Sequence, residues 1–271
     1  MNKVFLYIAA VFIMASASCK KDSGPKPDFK AGLVKITEAY AIGASAKVEL
    51  WAEKELSTGY QKLFAAVYDS VSNQSITKAA VAIMPMMEMN MDGHSMSHSA
   101  PFENPESSEA ENSLFPCAAV FIMPSTGESG KWRLEVSVKK EGQPKAGKAI
   151  LPLQVKQSDP EQVKTITAAD GSKLTVSYIL SKPKVGINDI EITIHNRQDM
   201  MNFPPAADYT IVMEPEMPSM GHGSPNNVNP VHSKNGHYKG KVNFTMTGDW
   251  RINLELNKGG KMTPVFFDLV F

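Results

Sequence analysis

Residues 84–98 of this 271-residue chain read MPMMEMNMDGHSMSH, six methionines (Met84, Met86, Met87, Met89, Met91, Met96) and two histidines (His94, His98) in fifteen positions. A second window at 213–222, MEPEMPSMGH, holds Met213, Met217, Met220 and His222, and His232 and His237 follow it. A thioether is a neutral, polarisable donor that no proton competes for near pH 7; it suits Cu(I), while imidazole suits both Cu(I) and Cu(II). Zinc asks for Cys or several His with a carboxylate, and calcium for clustered carboxylates. Neither window supplies such a set. The chemistry expected is therefore copper binding, Cu(I) preferred and Cu(II) possible. The candidate ligands are Met86, Met87, Met89, Met91, His94, Met96 and His98 in the first window, and Met217, Met220 and His222 in the second. His232 and His237 join them by chemistry and closeness in sequence.

Packing is the competing reading, because Met fills irregular cores. Met84 and Met213 end apolar runs and read as core. The remaining methionines are interleaved with Glu88, Asn90, Asp92, Gly93 and Ser95, a polar and turn-prone setting that predicts a loop. An exposed row of thioethers also invites oxidation unless it is used.

The elements that must hold these windows read as short strands. Gly130-Lys131-Trp132-Arg133 and Gly248-Asp249-Trp250-Arg251 each open a strict alternation of apolar and polar residues. Trp132, Leu134, Val136 and Val138 share one face, and so do Trp250, Ile252, Leu254 and Leu256, the signature of half-buried strands. Upstream of each Trp stands a similar turn, Met91-Asp92-Gly93-His94 and Met220-Gly221-His222. From His to Trp is 38 residues in the first copy and 28 in the second, a difference that fits an insertion at the acidic, solvated segment ENPESSEAE. Two shared features in one order predict an internal duplication. Further short strands are predicted at 47–51, 63–68, 79–83, 118–123, 149–155, 173–180, 189–195, 209–213, 239–246 and 264–271. Pro and Gly punctuate them, and no long 3.6-residue period appears, so each copy is expected to be an all-β sandwich. QSDPEQ at 157–162 breaks the pattern between them. Cys117, in FPCAAVFIM, reads as a buried structural thiol.

The N-terminus reads as an address. Asn2 and Lys3 precede twelve apolar residues, Val4 to Ala15, too few to span a bilayer but suited to an export signal. Ser16-Ala17-Ser18-Cys19 resembles the lipobox of bacterial lipoproteins, which implies cleavage after residue 18 and lipid on Cys19. The expected plan is a signal peptide at 1–18, a Lys- and Pro-rich tether at 19–31, a first sandwich at 32–157 and a second at 158–271. The protein is expected in the cell envelope, lipid-anchored on the periplasmic or outer side of a bacterial membrane.

MEPEMPSMGHGS followed by NGHYKGKVNFTMTGDWRINLEL resembles the YtkA-like/FixH-like domain family. The likeness runs from about Lys173 to Phe271; the first copy lacks the Gly-x-Tyr-x-Gly entry and stands as a diverged relative. It implies immunoglobulin-like β-sandwiches outside the cytoplasm, near copper handling or haem-copper oxidase assembly, with Met217, Met220 and His222 as the metal-facing loop.

Lys and Arg total 28, as do Asp and Glu, and this zero net charge argues against a nucleic-acid partner. No nucleophile elbow, phosphate loop, HExxH or dinucleotide fingerprint is present, so no enzymatic activity is expected. His195 ends EITIH and reads as surface or packing. The function expected is copper sequestration or delivery to a membrane partner. A non-metal interaction module (an adhesin, or a glycan- or protein-binding surface lipoprotein) and an assembly adaptor beside an oxidase or metal-efflux complex stand as alternatives.

Overall fold

Period-two alternation becomes strand wherever it is unbroken. The computed structural model describes residues 29–271 apart from 92, so the export signal and Cys19 lie outside the described residues. The first half forms β1 (Val34–Ala41), β2 (Ala46–Ala52), β3 (Gly59–Asp69), β4 (Ala79–Met91), β5 (His94–His98), β6 (Phe102–Glu103), β7 (Phe115–Phe121), β8 (Gly130–Lys140) and β9 (Gly147–Leu153). The second forms β10 (Val163–Thr167), β11 (Lys173–Ile179), β12 (Gly186–Asn196), β13 (Thr210–Met217), β14 (His222–Gly223), β15 (Val228–Lys234), β16 (His237–Phe244), β17 (Asp249–Lys258) and β18 (Lys261–Val270). Among the described residues no helix is long and apolar enough to cross a membrane.

Each half is a β-sandwich. Sheet β1-β2-β3-β7-β6 packs on sheet β5-β4-β8-β9, and sheet β10-β11-β12-β16-β15 packs on β14-β13-β17-β18. Adding nine to every label of the first half reproduces the second, so the duplication holds at the level of topology. β3 lies beside β7 in one sheet and β4 beside β8 in the other, the crossing between sheets that defines the immunoglobulin-like Greek key. The predicted inward faces are the cores: Trp132, Leu134, Val136 and Val138 in one, Trp250, Ile252, Leu254 and Leu256 in the other. Each such large apolar side chain contributes about 1.5–3 kcal/mol by leaving water.

The first Met–His window is not a loop. β4 continues for thirteen residues through Met91 and turns back as β5. The ladder pairs Met87 with His98, Met89 with Met96 and Met91 with His94. Glu88, Asn90, Ser95 and Ser97, which argued for a loop, are the exposed alternate positions of this hairpin. Cross-strand pairing satisfies their backbone groups, so a polar sequence holds an extended conformation. The acidic segment ENPESSEAE is likewise more than a solvated insertion. Its Glu103 lies on β6 and its Glu106 forms an ion pair with Lys234 of the second half.

The halves meet along a polar seam. Ile190, Ile192 and Ile194 of β12 face their own core. Thr193 and His195, on the opposite face, are also buried, together with Thr175 and Ser177 of β11. His195 is thus an interior residue of the seam; burial, opposed by the Glu103 carboxylate and aided by the His237 charge, pushes its pKa down to about 4 and keeps it neutral. At the centre stands His237. Its Nε2 is 2.5 Å from Glu103 of β6 and its Nδ1 3.0 Å from Glu191 of β12, and its ring meets Tyr60 of β3 edge-on. Lys239 reaches Glu191 from the solvent side at 3.7 Å. The Thr58 and Ser158 hydroxyls bond at 2.8 Å, and Ser99 N–H donates to the Met200 carbonyl at 2.8 Å.

Burial opposes a charged His237, but hydrogen bonds and attraction from the two carboxylates outweigh it and raise its pKa to about 9. A folded-state pKa above the unfolded value of about 6.5 stabilises the fold fully below that value, and the contribution is lost as pH rises through 9. The melting temperature is therefore expected to fall between pH 6.5 and 9.5 by several degrees more in the natural protein than in His237→Gln, with the two converging near pH 10. Parallel pH profiles would contradict this role for His237.

Candidate metal centre

The inner face of each β4- or β13-bearing sheet ends in a lateral row of four side chains. In the first sandwich His98 stands opposite Met87, Met87 opposite Trp132, and Trp132 opposite Leu153. In the second, Met217 stands opposite His222. The ladder that pairs Glu216 with Arg251 then brings Met217 level with Trp250, itself opposite Leu269. Directly opposed residues of an antiparallel pair share a face, with Cβ atoms about 4.5–5.5 Å apart. Each row therefore gathers one imidazole, one thioether and one indole from three strands.

The detail repeats. The His98 and Trp132 rings lie 5.6 Å apart at 89°, and the His222 and Trp250 rings 6.1 Å apart at 78°. Nδ1 of His98 is 2.8 Å from the Ser99 carbonyl, and Nδ1 of His222 is 3.0 Å from the Gly223 carbonyl. A carbonyl only accepts, so Nδ1 carries the proton and Nε2 keeps the lone pair that a metal needs. Nε1 of Trp132 donates to the Met123 carbonyl at 2.9 Å, and Nε1 of Trp250 to the Met246 carbonyl at 3.0 Å. Phe121 and Phe244 each lie 5.2 Å from their Trp. The glycine of each Gly-x-Trp-Arg stretch is where the thioether methyl rests. A Cβ on Gly130 would stand 2.6 Å from Cε of Met87, and one on Gly248 2.5 Å from Cε of Met217.

This geometry pairs His222 with His98, whereas the similar turns had paired it with His94. From Met87 to His98 is 11 residues, against 5 from Met217 to His222, so the β4–β5 hairpin is six residues longer than its counterpart. Met87 and Met217 are buried in their rows. Met86, the next position along β4 from Met87, is buried as well. Met89 is half-buried against the first core and pairs with exposed Met96. Met91 pairs with exposed His94 at the end of the hairpin. Met220 is exposed on the tight β13–β14 turn, where the Met220 and Gly221 N–H groups both donate to the Met217 carbonyl at 3.1 and 2.9 Å. His222 is half-buried.

His232 and His237 stand apart from this row. β16 runs from His237 to Phe244, about 23 Å, and Phe244 is the end that packs on Trp250. His232 packs on Tyr238, beside His237. Closeness in sequence to His222 thus leads to the other end of the sandwich. Among the described residues no three His, Cys, Asp or Glu side chains are arranged to hold a metal ion, so a metal at either row depends on sulfur and a single imidazole. Sequence reasoning overlooked Trp132, Trp250, Gly130 and Gly248 as parts of the site. The repeated Gly-x-Trp-Arg carried that signal but was read as a strand marker only.

Residues 168–255 match the family model described as YtkA-like, and the second sandwich thus carries a YtkA-like domain. No curated protein matches the chain. Among solved structures, a β-glucuronidase from Parabacteroides merdae shares 10% identity at a TM-score of 0.26, covering 88% of this chain and 24% of its own. Invasin, a bacterial integrin-binding protein, shares 10% at 0.25, covering 82% of this chain and 38% of its own. A titin tandem of two immunoglobulin domains shares 9% at 0.19, covering 83% and 97%. The chain thus spans well under half of the first two proteins, and the architecture described above stands on the strand pairing itself.

Gly248 sits at φ +137°, where a side chain is strained, and a Cβ there would strike the Met217 methyl. Gly248→Ala is expected to cost about 1–3 kcal/mol in urea unfolding. Met217→Ala is expected to cost about 2–5 kcal/mol. The double variant should lose less than the sum, because the added methyl enters the space the methionine leaves. Strict additivity would show that the two residues do not meet.

Proposed function

We propose that this protein, whose second sandwich is a YtkA-like domain, binds Cu(I) through the paired thioether and imidazole at the end of each sandwich. The observation that carries the reading is the recurrence of the same His–Met–Gly–Trp set in two sandwiches of one chain, of which the family match covers only the second. A core needs a large apolar side chain at these positions. It does not need a sulfur beside an imidazole whose Nδ1 is tied down and whose Nε2 is left to bind. Two donors suit a cation that accepts low coordination numbers, and Met220, exposed on the adjoining turn, is the candidate third donor.

Thioether contacts are neutral and individually weak, so an ion held this way can be passed on by stepwise replacement of ligands. That suits sequestration, or delivery to a membrane partner such as an oxidase under assembly or a metal-efflux complex. On this reading the protein is a binding protein rather than a catalyst. It works outside the cytoplasm, held to a bacterial membrane by lipid on Cys19. The burial of Met87 and Met217 favours one competing reading, in which the rows are packing corners of a surface interaction module.

Competition for Cu(I) against a colorimetric chelator separates the two readings. Met217→Leu removes the sulfur while keeping the volume, at a stability cost below about 1.5 kcal/mol, and His222→Gln removes the imidazole. Each is expected to weaken Cu(I) binding at the second sandwich tenfold or more. Native mass spectrometry should then count one ion fewer per chain at limiting copper. Unchanged affinity in both variants would remove copper from this corner.

A further inference from the structure

We infer that Trp250, with Trp132 as its twin, is an aromatic wall of the cation site as well as a core side chain; this rests on the Cu(I) reading above. β13 lies between β14 and β17 in its sheet, so the thioether of Met217 comes from the strand between the imidazole and the indole. An ion that bridges Nε2 of His222 and the sulfur of Met217 is drawn toward Trp250 rather than away from it. The two rings are 6.1 Å apart and nearly perpendicular. An ion on Nε2 of His222 would therefore lie near the roughly 6 Å range over which an indole attracts a cation. The indole is also fixed in advance, since its N–H is spent on the Met246 carbonyl at 3.0 Å and Phe244 packs against it at 5.2 Å. Gly248 completes the arrangement. Without a side chain there, the Met217 methyl can lie over the strand that carries Trp250.

The first sandwich repeats every part, with His98, Met87, Gly130 and Trp132 in the corresponding places. A desolvated indole strengthens cation binding by a factor of about three to thirty. It also gives the site a signature that packing alone lacks, because the ring's electronic environment changes only when the ion is present.

The chain has three tryptophans, and Trp51 serves as an internal control. It lies elsewhere in the first sandwich, bonded to Glu49 and beneath the Lys30 ammonium. The intact protein labelled with 5-fluorotryptophan would be titrated with Ag(I), a redox-inert probe for Cu(I), with each fluorine resonance assigned by a single Trp→Phe variant. The Trp250 resonance is expected to shift saturably while that of Trp51 stays in place. Trp250→Phe, which keeps a ring but weakens its face, is expected to lower Ag(I) affinity at the second sandwich threefold or more. Should that variant fail to fold, the resonance in the natural protein still decides. Ag(I) binding that depends on Met217 and His222 but leaves the Trp250 resonance unmoved would overturn the inference while leaving the site intact, as would an unchanged affinity in Trp250→Phe. Absence of any Ag(I) binding by the natural protein would instead sink the Cu(I) reading and this inference with it.

Discussion

Strand register is the constraint from which the rest follows. Once Met87 is held opposite both His98 and Trp132, side chains from three strands must emerge on one interior face. A slip of one residue would turn the sulfur outward and an acidic side chain, Glu88, inward. The apolar row that continues down β8, with Leu134, Val136 and Val138, makes that slip prohibitively costly. The same forces that close the core therefore place the donors, and no separate loop conformation has to be stabilised to build the site. The second sandwich reaches the same result with a hairpin six residues shorter, which shows how little the row depends on the turn above it.

What could be read from the sequence was whatever a periodic pattern writes locally. β8 and β17 alternate strictly, and their faces were legible down to the individual residue. The hairpin of β4 and β5 alternates too, but thioethers on one face and Glu, Asn and Ser on the other look like a loop when polarity is weighed without its period. The match of His94 to His222 followed a shared Gly-His pair in two turns. The pairing that counts, His98 with Met87, depends on how many residues the hairpin holds and is written nowhere locally. His237 shows the reverse error. It lies fifteen positions after His222, yet antiparallel travel carries it to the other end of the sandwich.

The seam between the sandwiches was illegible for another reason. His195 of EITIH reads as surface or packing and ENPESSEAE as solvated surface when each is read alone, yet His195 is buried and Glu103 half-buried where the two halves meet around His237. Glu103 and Glu191 hold His237 charged in a partly dry setting, where removing one partner would leave a buried charge uncompensated. A contact made of such groups is specific in geometry without being strong, unlike the apolar interiors on either side of it.

Among the described residues every sheet completes itself within one half of the chain, and the halves meet through the polar groups around His237. A mechanical load along the polypeptide would therefore travel through two sturdy bodies in series with a brittle electrostatic clasp. The clasp around His237 would let go before either core, while the connector stayed pinned to the first sandwich through buried Val155 and the Thr58–Ser158 bond.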